Sequence, residues 1–171
     1  MGAILSQPQK SMFPLKFKTH SFDARVYSTL TCHIIYNKYS FSPQYNTAPS
    51  PAPPPTLTYR DDWPLASFLG IRNFPAPAHI MWTSLDGTKL EAKVDIAKIF
   101  KDEKVLYTAE DEEIPEGSFN GLTSPGIYLE VDDRTVRVFM RAFLPTKTEQ
   151  KPGNKYSNCR NDLVLAWSHT Y

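Results

Sequence analysis

The residue types that can carry out acid–base or metal chemistry are scattered along this chain. The histidines occur singly, without the spacing of metal ligands: His20, His33, His79 and His169. The patterns typical of hydrolases, phosphate-binding loops, dinucleotide-binding folds and zinc proteases are absent from the sequence: GxSxG, GxxxxGK[ST], GxGxxG and HExxH. We therefore expect a protein that is not an enzyme, with no cofactor and no metal site.

Carboxylates are concentrated in one acidic segment, which consists of Glu110, Asp111, Glu112 and Glu113 and is followed by Glu116. Such a run of like charges is typical of a solvated loop rather than of a carboxylate pair tuned for acid–base catalysis. The surrounding stretch, residues 109–126, is punctuated by Pro and Gly. The acidic segment is either a solvated loop or an arm that enters a partner's cleft, and we predict it as an accessory partner-binding site.

The two cysteines, Cys32 and Cys159, lie far apart and form no CxxC pair. They are either two buried free thiols or, in an oxidising compartment, one disulfide. A disulfide that closes so long a loop stabilises a fold by about 4–5 kcal/mol in the chain-entropy model. The residues themselves leave both alternatives open.

The pattern of residues 128–145 predicts two strands joined by a polar turn. One face of these strands has the composition of a protein-recognition surface. If Asp133 and Arg134 form the turn, one face pairs aliphatic residues only: Ile127 with Met140, Leu129 with Val138, and Val131 with Val136. On the other face, Glu130 meets Arg137 and Tyr128 meets Phe139, and both are favourable cross-strand pairs.

This second face, extended by Arg141, has the composition of a protein–protein interface, in which aromatic residues and arginine are enriched. We therefore predict partner binding by Tyr128, Arg137, Phe139 and Arg141. The alternative is that a second sheet or the Pro-rich loop covers the face, with the arginine stems lying along apolar surface.

Further strands are expected in four segments with β-rich or alternating composition: residues 22–41, 78–96, 104–108 and 161–171, with helix as the alternative for the last. In 78–96, Asp86-Gly87 suits a two-residue type I′ turn, which pairs Met81 with Ala92 and Trp82 with Glu91. Asn37-Lys38 is a second candidate turn. Residues 94–100 predict one short helical turn.

The bulk composition limits the classes of protein further. The chain has 171 residues, of which 41% are apolar and 22% charged, as in an ordinary globular domain. Fifteen prolines against seven glycines disfavour long helices. A net charge of +1 argues against a nucleic-acid-binding protein, and no apolar run is long enough to span a bilayer.

These observations predict a mostly β fold, an antiparallel β-sandwich or two-layer sheet with one short helix at most. Residues 1–20 are expected to be an N-terminal tether. Residues 21–171 are expected to form a single β-rich domain with a Pro-rich loop at 46–57.

Five stretches resemble one group of proteins: FDAR (22–25), NFPAPAHIMWTSLDG (73–87), VDIAKIF (94–100), GIYLEVDDRTVRVFMRA (126–142) and PGNKYSNCRNDLVLAWSHTY (152–171). They are similar to small bacterial envelope proteins, often lipoproteins, that are encoded beside type VI secretion effectors. That group includes the immunity proteins of secreted phospholipases. The resemblance covers most of the chain from Ser21 onward, and its motifs are structural rather than catalytic.

The resemblance implies a periplasmic immunity protein that binds a cognate lipase effector and occludes its active site or locks its lid. It implies residence in the periplasm, with an anchor to the outer membrane through a lipid-modified N-terminal cysteine in whose place Met1 stands here. It also implies a compartment in which Cys32 and Cys159 can be oxidised. The only membrane contact expected is that anchor. The alternative is a non-catalytic structural or assembly lipoprotein of the cell envelope.

Overall fold

The computed structural model describes residues 11–118 and 122–171. In chain order, the strands are β1 (Lys16–Phe17), β2 (Thr19–Tyr27), β3 (Thr29–Tyr36), β4 (Tyr39–Ser40), β5 (Phe68–Arg72), β6 (Ala78–Ser84), β7 (Lys89–Val94), β8 (Leu122–Thr123), β9 (Gly126–Asp132), β10 (Thr135–Arg141), β11 (Leu144–Pro145), β12 (Cys159–Arg160) and β13 (Leu163–Thr170). A short helix, α1, spans Ile96–Ile99, and 3-10 turns span Pro43–Tyr45, Tyr59–Asp62 and Asp111–Glu113.

Two large sheets form the body of the protein. The five-stranded sheet has the order β13-β10-β9-β2-β5, and the four-stranded sheet has the order β4-β3-β6-β7. Neighbours in both sheets are antiparallel, except that β2 runs parallel to β9. The pairs β1–β8 and β11–β12 form two-stranded sheets. The predicted mostly β, sandwich-like fold with one short helix is confirmed.

The chain passes from one large sheet to the other at Ser28, which lies between β2 and β3 with a φ of 53°. The inner faces of both sheets then meet in one core, to which β2 contributes Phe22 and β3 contributes Ile34, both fully buried. Burial of each such side chain stabilises the fold by about 1.5–3 kcal/mol.

The β9–β10 hairpin has the register that its residue pattern predicts. Ile127 pairs with Met140, Leu129 with Val138, Val131 with Val136, Glu130 with Arg137, and Tyr128 with Phe139. Asp133 takes the positive φ of the turn, at 51°. Its carbonyl accepts a hydrogen bond of 2.8 Å from Trp82 Nε1 on β6, so the turn also joins the two sheets.

The predicted register of the β6–β7 hairpin is wrong by one residue. Met81 pairs with Glu91 and Trp82 with Leu90, because the loop has three residues and ends at Gly87, whose φ is 85°. Gly87 N donates to Ser84 O at 2.9 Å. Asp86 Oδ1 accepts bonds from Ser84 Oγ and Thr88 N, so its side chain stabilises the longer loop.

The predicted turn at Asn37-Lys38 is confirmed, since Tyr36 pairs with Tyr39 across it. Both turn residues have positive φ, at 49° and 66°, as a type I′ turn requires. The strand prediction for 161–171 and the helical turn within 94–100 are also confirmed, and Asp95 caps α1 by accepting a 3.0 Å bond from Lys98 N.

Two other predictions are wrong. Residues 104–108 do not form a strand of either large sheet, although Lys104 makes an isolated bridge to Lys16. The tether does not extend to residue 20, because Leu15, Phe17 and His20 are buried in the core; residues 1–10 lie outside the described part of the chain.

Residues 46–57 contain no regular helix or strand, as their prolines predict. Within the described residues, no helix is long and apolar enough to cross a membrane.

Candidate functional site

The outer face of the five-stranded sheet, predicted as the docking surface, is covered by residues 59–66, which we call the strap. Trp63 and Ala66 of the strap pack on Tyr128 and Phe139. The ring of Trp63 lies 5.8 Å from that of Tyr128 and 5.7 Å from that of Phe139. The exposed fractions of Tyr128 and Phe139 are only 1% and 6%. The expectation that these aromatic residues are free to dock is therefore wrong, and the alternative of a covered face is the one observed.

Glu130 lies at the polar centre of the covered face, with no exposed surface of its own. Its carboxylate accepts hydrogen bonds from Tyr59 Oη at 2.8 Å and from Arg60 Nε and Nη2 at 2.9 and 2.8 Å. The cross-strand neighbour Arg137 donates through Nη1 at 2.8 Å. Two guanidinium groups thus compensate one buried carboxylate, which makes the burial of that charge tolerable.

The electrostatics of this cluster follow from burial beside Glu130. Burial raises the pKa of the Tyr59 hydroxyl, and its hydrogen bond to the Glu130 carboxylate raises that pKa further. Burial alone lowers the pKa of Arg60, but the bonds to Glu130 outweigh it and raise the pKa overall. Arg60 therefore stays charged and keeps the strap attached. Burial also raises the pKa of the neighbouring Asp132.

Arg141, the fourth predicted docking residue, positions the strap instead. Its Nη1 donates to the Trp63 carbonyl at 2.7 Å and its Nη2 to the Arg60 carbonyl at 3.1 Å. The guanidinium carbon lies 5.4 Å from the centre of the Tyr128 ring. Arg141 is 7% exposed, so its role as a free docking side chain is corrected to that of a clamp on the strap backbone.

The acidic segment is attached to the body of the protein. It lies on the 3-10 turn Asp111–Glu113, and Asp111 Oδ1 accepts a bond of 2.6 Å from Tyr107 Oη. The carbonyl of Glu113 accepts from Lys147 N at 2.8 Å, and its carboxylate lies 3.6 Å from Arg160. Glu110 and Glu112 remain exposed, and their role in partner binding stays a prediction.

Of the two alternatives for the cysteines, the disulfide is not supported, since both cysteines are free. Cys32 is a core residue of the four-stranded sheet, whereas Cys159 lies half-buried in the β11–β12 pair. Burial raises the pKa of the Cys32 thiol to about 12, so it remains protonated. The thiol of Cys32 therefore fills core volume as a small apolar group.

The outer face of the four-stranded sheet is available instead. The register places Thr31, Thr83 and Lys89 in one row, His33, Met81 and Glu91 in the next, and Ile35, His79 and Lys93 in a third. We call these nine residues the open face. Each of them is half-buried or exposed. A shallow depression of about 440 Å³ lies on it, and its lining includes Thr31, His33, Met81, Thr83 and Glu91.

Hydrogen bonds order several side chains of the open face. Thr31 Oγ1 donates to Thr83 Oγ1 at 2.9 Å, and His79 Nε2 lies 2.6 Å from Glu91 Oε1. His33 Nδ1 lies 2.8 Å from Oδ1 of Asn46, which borders the depression. The second ring nitrogen of His33 has no partner among the described residues, so it can bond to a molecule that docks here.

Sequence reasoning missed the open face because of the one-residue error in the β6–β7 register. With Met81 opposite Ala92, the exposed and buried faces of the hairpin are mixed, and no coherent surface emerges. A three-residue loop at Leu85–Gly87 brings Met81 and Thr83 onto the same side as Lys89, Glu91 and Lys93. Charged residues alternate with apolar ones along KLEAKV, and this pattern indicates that Lys89, Glu91 and Lys93 share one exposed face.

The described residues contain no group of three or more His, Cys, Asp or Glu side chains that could hold a metal ion. The open face is a candidate binding surface because ordered polar groups surround an exposed methionine. No protein-family model, curated protein or solved structure was found to match this chain.

Proposed function

We propose that this chain is a periplasmic immunity protein that binds a lipase effector of a type VI secretion system, and that it binds through the open face. The resemblance of its motifs to immunity proteins supports the class of function. The observation that carries the choice of surface is the contrast between the two sheets: the strap covers one outer face, whereas Met81 at the centre of the other is 39% exposed.

The residues of the open face suit protein recognition. Interfaces commonly combine an apolar centre with a polar rim, and methionine is enriched in them because its flexible side chain adapts to a partner's shape. Here Met81 is flanked in its row by His33 and Glu91, and lysines lie at one end of the neighbouring rows. Such a surface is complementary to a partner surface with an exposed apolar side chain and acidic neighbours.

The size of the open face limits how the lipase can bind. Three strands spaced about 4.8 Å apart span only about 10 Å, whereas a stable interface buries about 800 Å² on each partner. The lipase must therefore also contact segments that border the face. Asn46, already bonded to His33, begins the Pro-rich loop and extends the surface on one side.

Co-expression with a lipase encoded beside this gene tests the function. We expect the wild-type protein to protect bacteria that express the lipase in the periplasm and to inhibit the purified enzyme at stoichiometric ratio. If the protein neither protects nor binds any neighbouring lipase, the proposal fails, and a structural or assembly role in the envelope takes its place.

A charge placed at the centre of the open face tests the surface. We expect Met81→Glu to weaken inhibition by about tenfold or more, the equivalent of about 1.4 kcal/mol, without lowering the melting temperature. Leu57→Glu is the control, because it places the same charge at an exposed apolar residue that lies outside the face. Equal inhibition by both variants and the wild type would place the lipase elsewhere on the protein.

We also propose that the native product is held at the outer membrane by an N-terminal lipid. Intact-mass analysis of the protein isolated from its own host tests this, because an acylated cysteine adds the mass of its fatty acids. An unmodified chain in the soluble periplasmic fraction would rule out the anchor and leave the lipase-binding proposal unaffected.

A further inference from the structure

The edges of the two large sheets differ in how well they are protected against pairing with another strand. β4 has only two residues, and β7 carries outward charges at Lys89, Glu91 and Lys93. β5 is interrupted at Gly70, whose φ is 71°, and its pairing with β2 is irregular. Short length, charge and irregular backbone are the usual ways in which proteins prevent edge-to-edge association.

The fourth edge, β13, is different. It is eight residues long, Leu163–Thr170, and it contains no Lys, Arg, Asp, Glu, Pro or Gly. One irregularity interrupts its pairing with β10, between Val138 and Phe139, and from Trp167 onward the pairing is continuous. The segment from Trp167 to Tyr171 is therefore a regular, uncharged strand edge.

The orientation of the main chain shows which polar groups of this edge are free. Tyr171 N donates to Arg134 O at 3.0 Å, so the main chain of Tyr171 is directed towards β10. Main-chain directions alternate along an antiparallel strand. Those of Trp167 and His169 are therefore also directed towards β10, whereas the N–H and C=O groups of Ser168 and Thr170 are directed away from the sheet.

We propose that two copies of this chain associate through β13, pairing antiparallel across a twofold axis that passes beside His169. The outward main-chain groups allow this register, since Ser168 and Thr170 of one copy can exchange main-chain hydrogen bonds with Thr170 and Ser168 of the second copy. The five-stranded sheets of the two copies then join into one continuous sheet.

The side chains are complementary in this register. Ser168 lies opposite a threonine, and Trp167 lies opposite Tyr171 of the second copy; hydroxyl and aromatic pairs are both favourable across strands. His169 lies opposite its own copy, with a Cα–Cα separation of about 4.5 Å because the pair is not hydrogen-bonded. Within one copy, Trp167 already stacks on His169 at 6.1 Å, so the pairing joins two ordered aromatic rows.

The association state of the full chain tests the proposal. We expect sedimentation equilibrium at micromolar concentrations to give twice the 19.5 kDa mass of one chain. Ser168→Pro removes an outward N–H while leaving the bonds to β10 in place, and it should weaken the dimer by about tenfold or more. Ser168→Ala keeps that N–H and should leave the dimer intact. A wild-type protein that stays monomeric at every concentration overturns the proposal.

A charge-swap experiment at the twofold axis remains informative if the proline variant does not fold. His169 is exposed, so charged residues are tolerated there. His169→Lys and His169→Glu should each be monomeric, because like charges would face each other, and an equimolar mixture should recover the dimer. Lys93→Glu on the charged edge β7 is the control and should leave dimerisation unchanged. Failure of the mixture to associate, or dimers of either variant alone, would contradict the register.

Discussion

The outer faces of the two sheets differ in what covers them. On the five-stranded sheet, Trp63 of the strap packs on Tyr128 and Phe139, and Arg60 bonds the buried carboxylate of Glu130. On the four-stranded sheet, Met81 and its polar neighbours have no such cover among the described residues. The face that has the composition of an interface is covered within the chain, and the more polar face remains exposed.

Composition alone does not show whether a surface is free to bind a partner. Tyr, Trp and Arg are enriched at interfaces because they combine large apolar area with directed polar groups. The strap and the face beneath it use the same residue types to bind one another within a single chain. An interface-like surface is thus evidence of binding, but the bound segment can belong to the same molecule.

Removal of the strap's aromatic anchor should have the largest effect on the fold. We expect Trp63→Ala to lower the free energy of unfolding by about 4 kcal/mol, because a buried indole is replaced by a cavity. Urea unfolding followed by far-UV circular dichroism measures the change. Leu57→Ala, a truncation of a fully exposed residue just before the strap, is the control and should change stability by no more than about 0.5 kcal/mol. A small loss in Trp63→Ala would show that the strap contributes little.

Removal of Arg60, which pairs with the carboxylate of Glu130, should have the second-largest effect on the free energy of unfolding. We expect Arg60→Ala to cost about 3 kcal/mol, because it leaves a fully buried carboxylate with fewer partners. Arg72→Ala is a matched control, since that side chain is exposed on the edge strand β5. Equal stability of the two variants would mean that Arg137 and Tyr59 suffice to compensate Glu130.

The core histidine should make stability depend on pH. Asn73 Nδ2 donates to Phe17 O, so its Oδ1 accepts from Nδ1 of His20, whose Nε2 then accepts from Tyr36 Oη. Burial lowers the pKa of His20 below its ordinary value of 6.5, despite the opposing hydrogen bond to Asn73. The unfolded chain therefore binds the proton more readily than the folded protein.

The contribution of the neutral His20 to the free energy of unfolding is thus fully present above pH 6.5. It is lost as the pH falls below that value, until the pKa of His20 in the folded protein is reached. The slope cannot exceed about 1.4 kcal/mol per pH unit for one proton. Urea unfolding between pH 7 and pH 5 measures the slope, and a His20→Gln variant should show a flatter profile. Parallel profiles for wild type and variant would assign the pH dependence to other groups.

The smallest effect is expected on the open face. We expect Met81→Ser to change the free energy of unfolding by no more than about 0.5 kcal/mol, as is usual for surface positions. The same urea titration measures it. A loss as large as that of Trp63→Ala would mean that Met81 packs as a core residue, and the contrast between the two faces would no longer hold.

The two hairpins show how far sequence patterns can predict this fold. In β9–β10, five cross-strand pairs sort cleanly by residue type, so only one register keeps the aliphatic residues together, and that register is observed. In β6–β7, Asp86-Gly87 predicts a two-residue turn. The side chain of Asp86 instead bonds Ser84 and Thr88 and stabilises a loop one residue longer.

The N-terminal boundary was missed for a different reason. Residues 11–20 show no hydrophobic period, because only Leu15 and Phe17 of the short β1 region enter the core, one at a time. The strand β1 pairs with β8, more than a hundred positions away in sequence, so no neighbouring segment indicates that pairing. The sequence also leaves the state of Cys32 and Cys159 open, because whether they can bond depends on where two distant strands lie, and both are free. Only folding brings such segments into register.

The sequence alone determined the β class, the main hairpin and its two chemically distinct faces, because the two-residue period of a strand is a local property that neighbouring residues express directly. The tertiary structure alone decided which of those faces reaches solvent. Tyr59 and Arg60 lie 71 and 70 positions from Glu130, and no local pattern encodes that contact, because it arises only when the whole chain buries its apolar surface and pairs its buried charges.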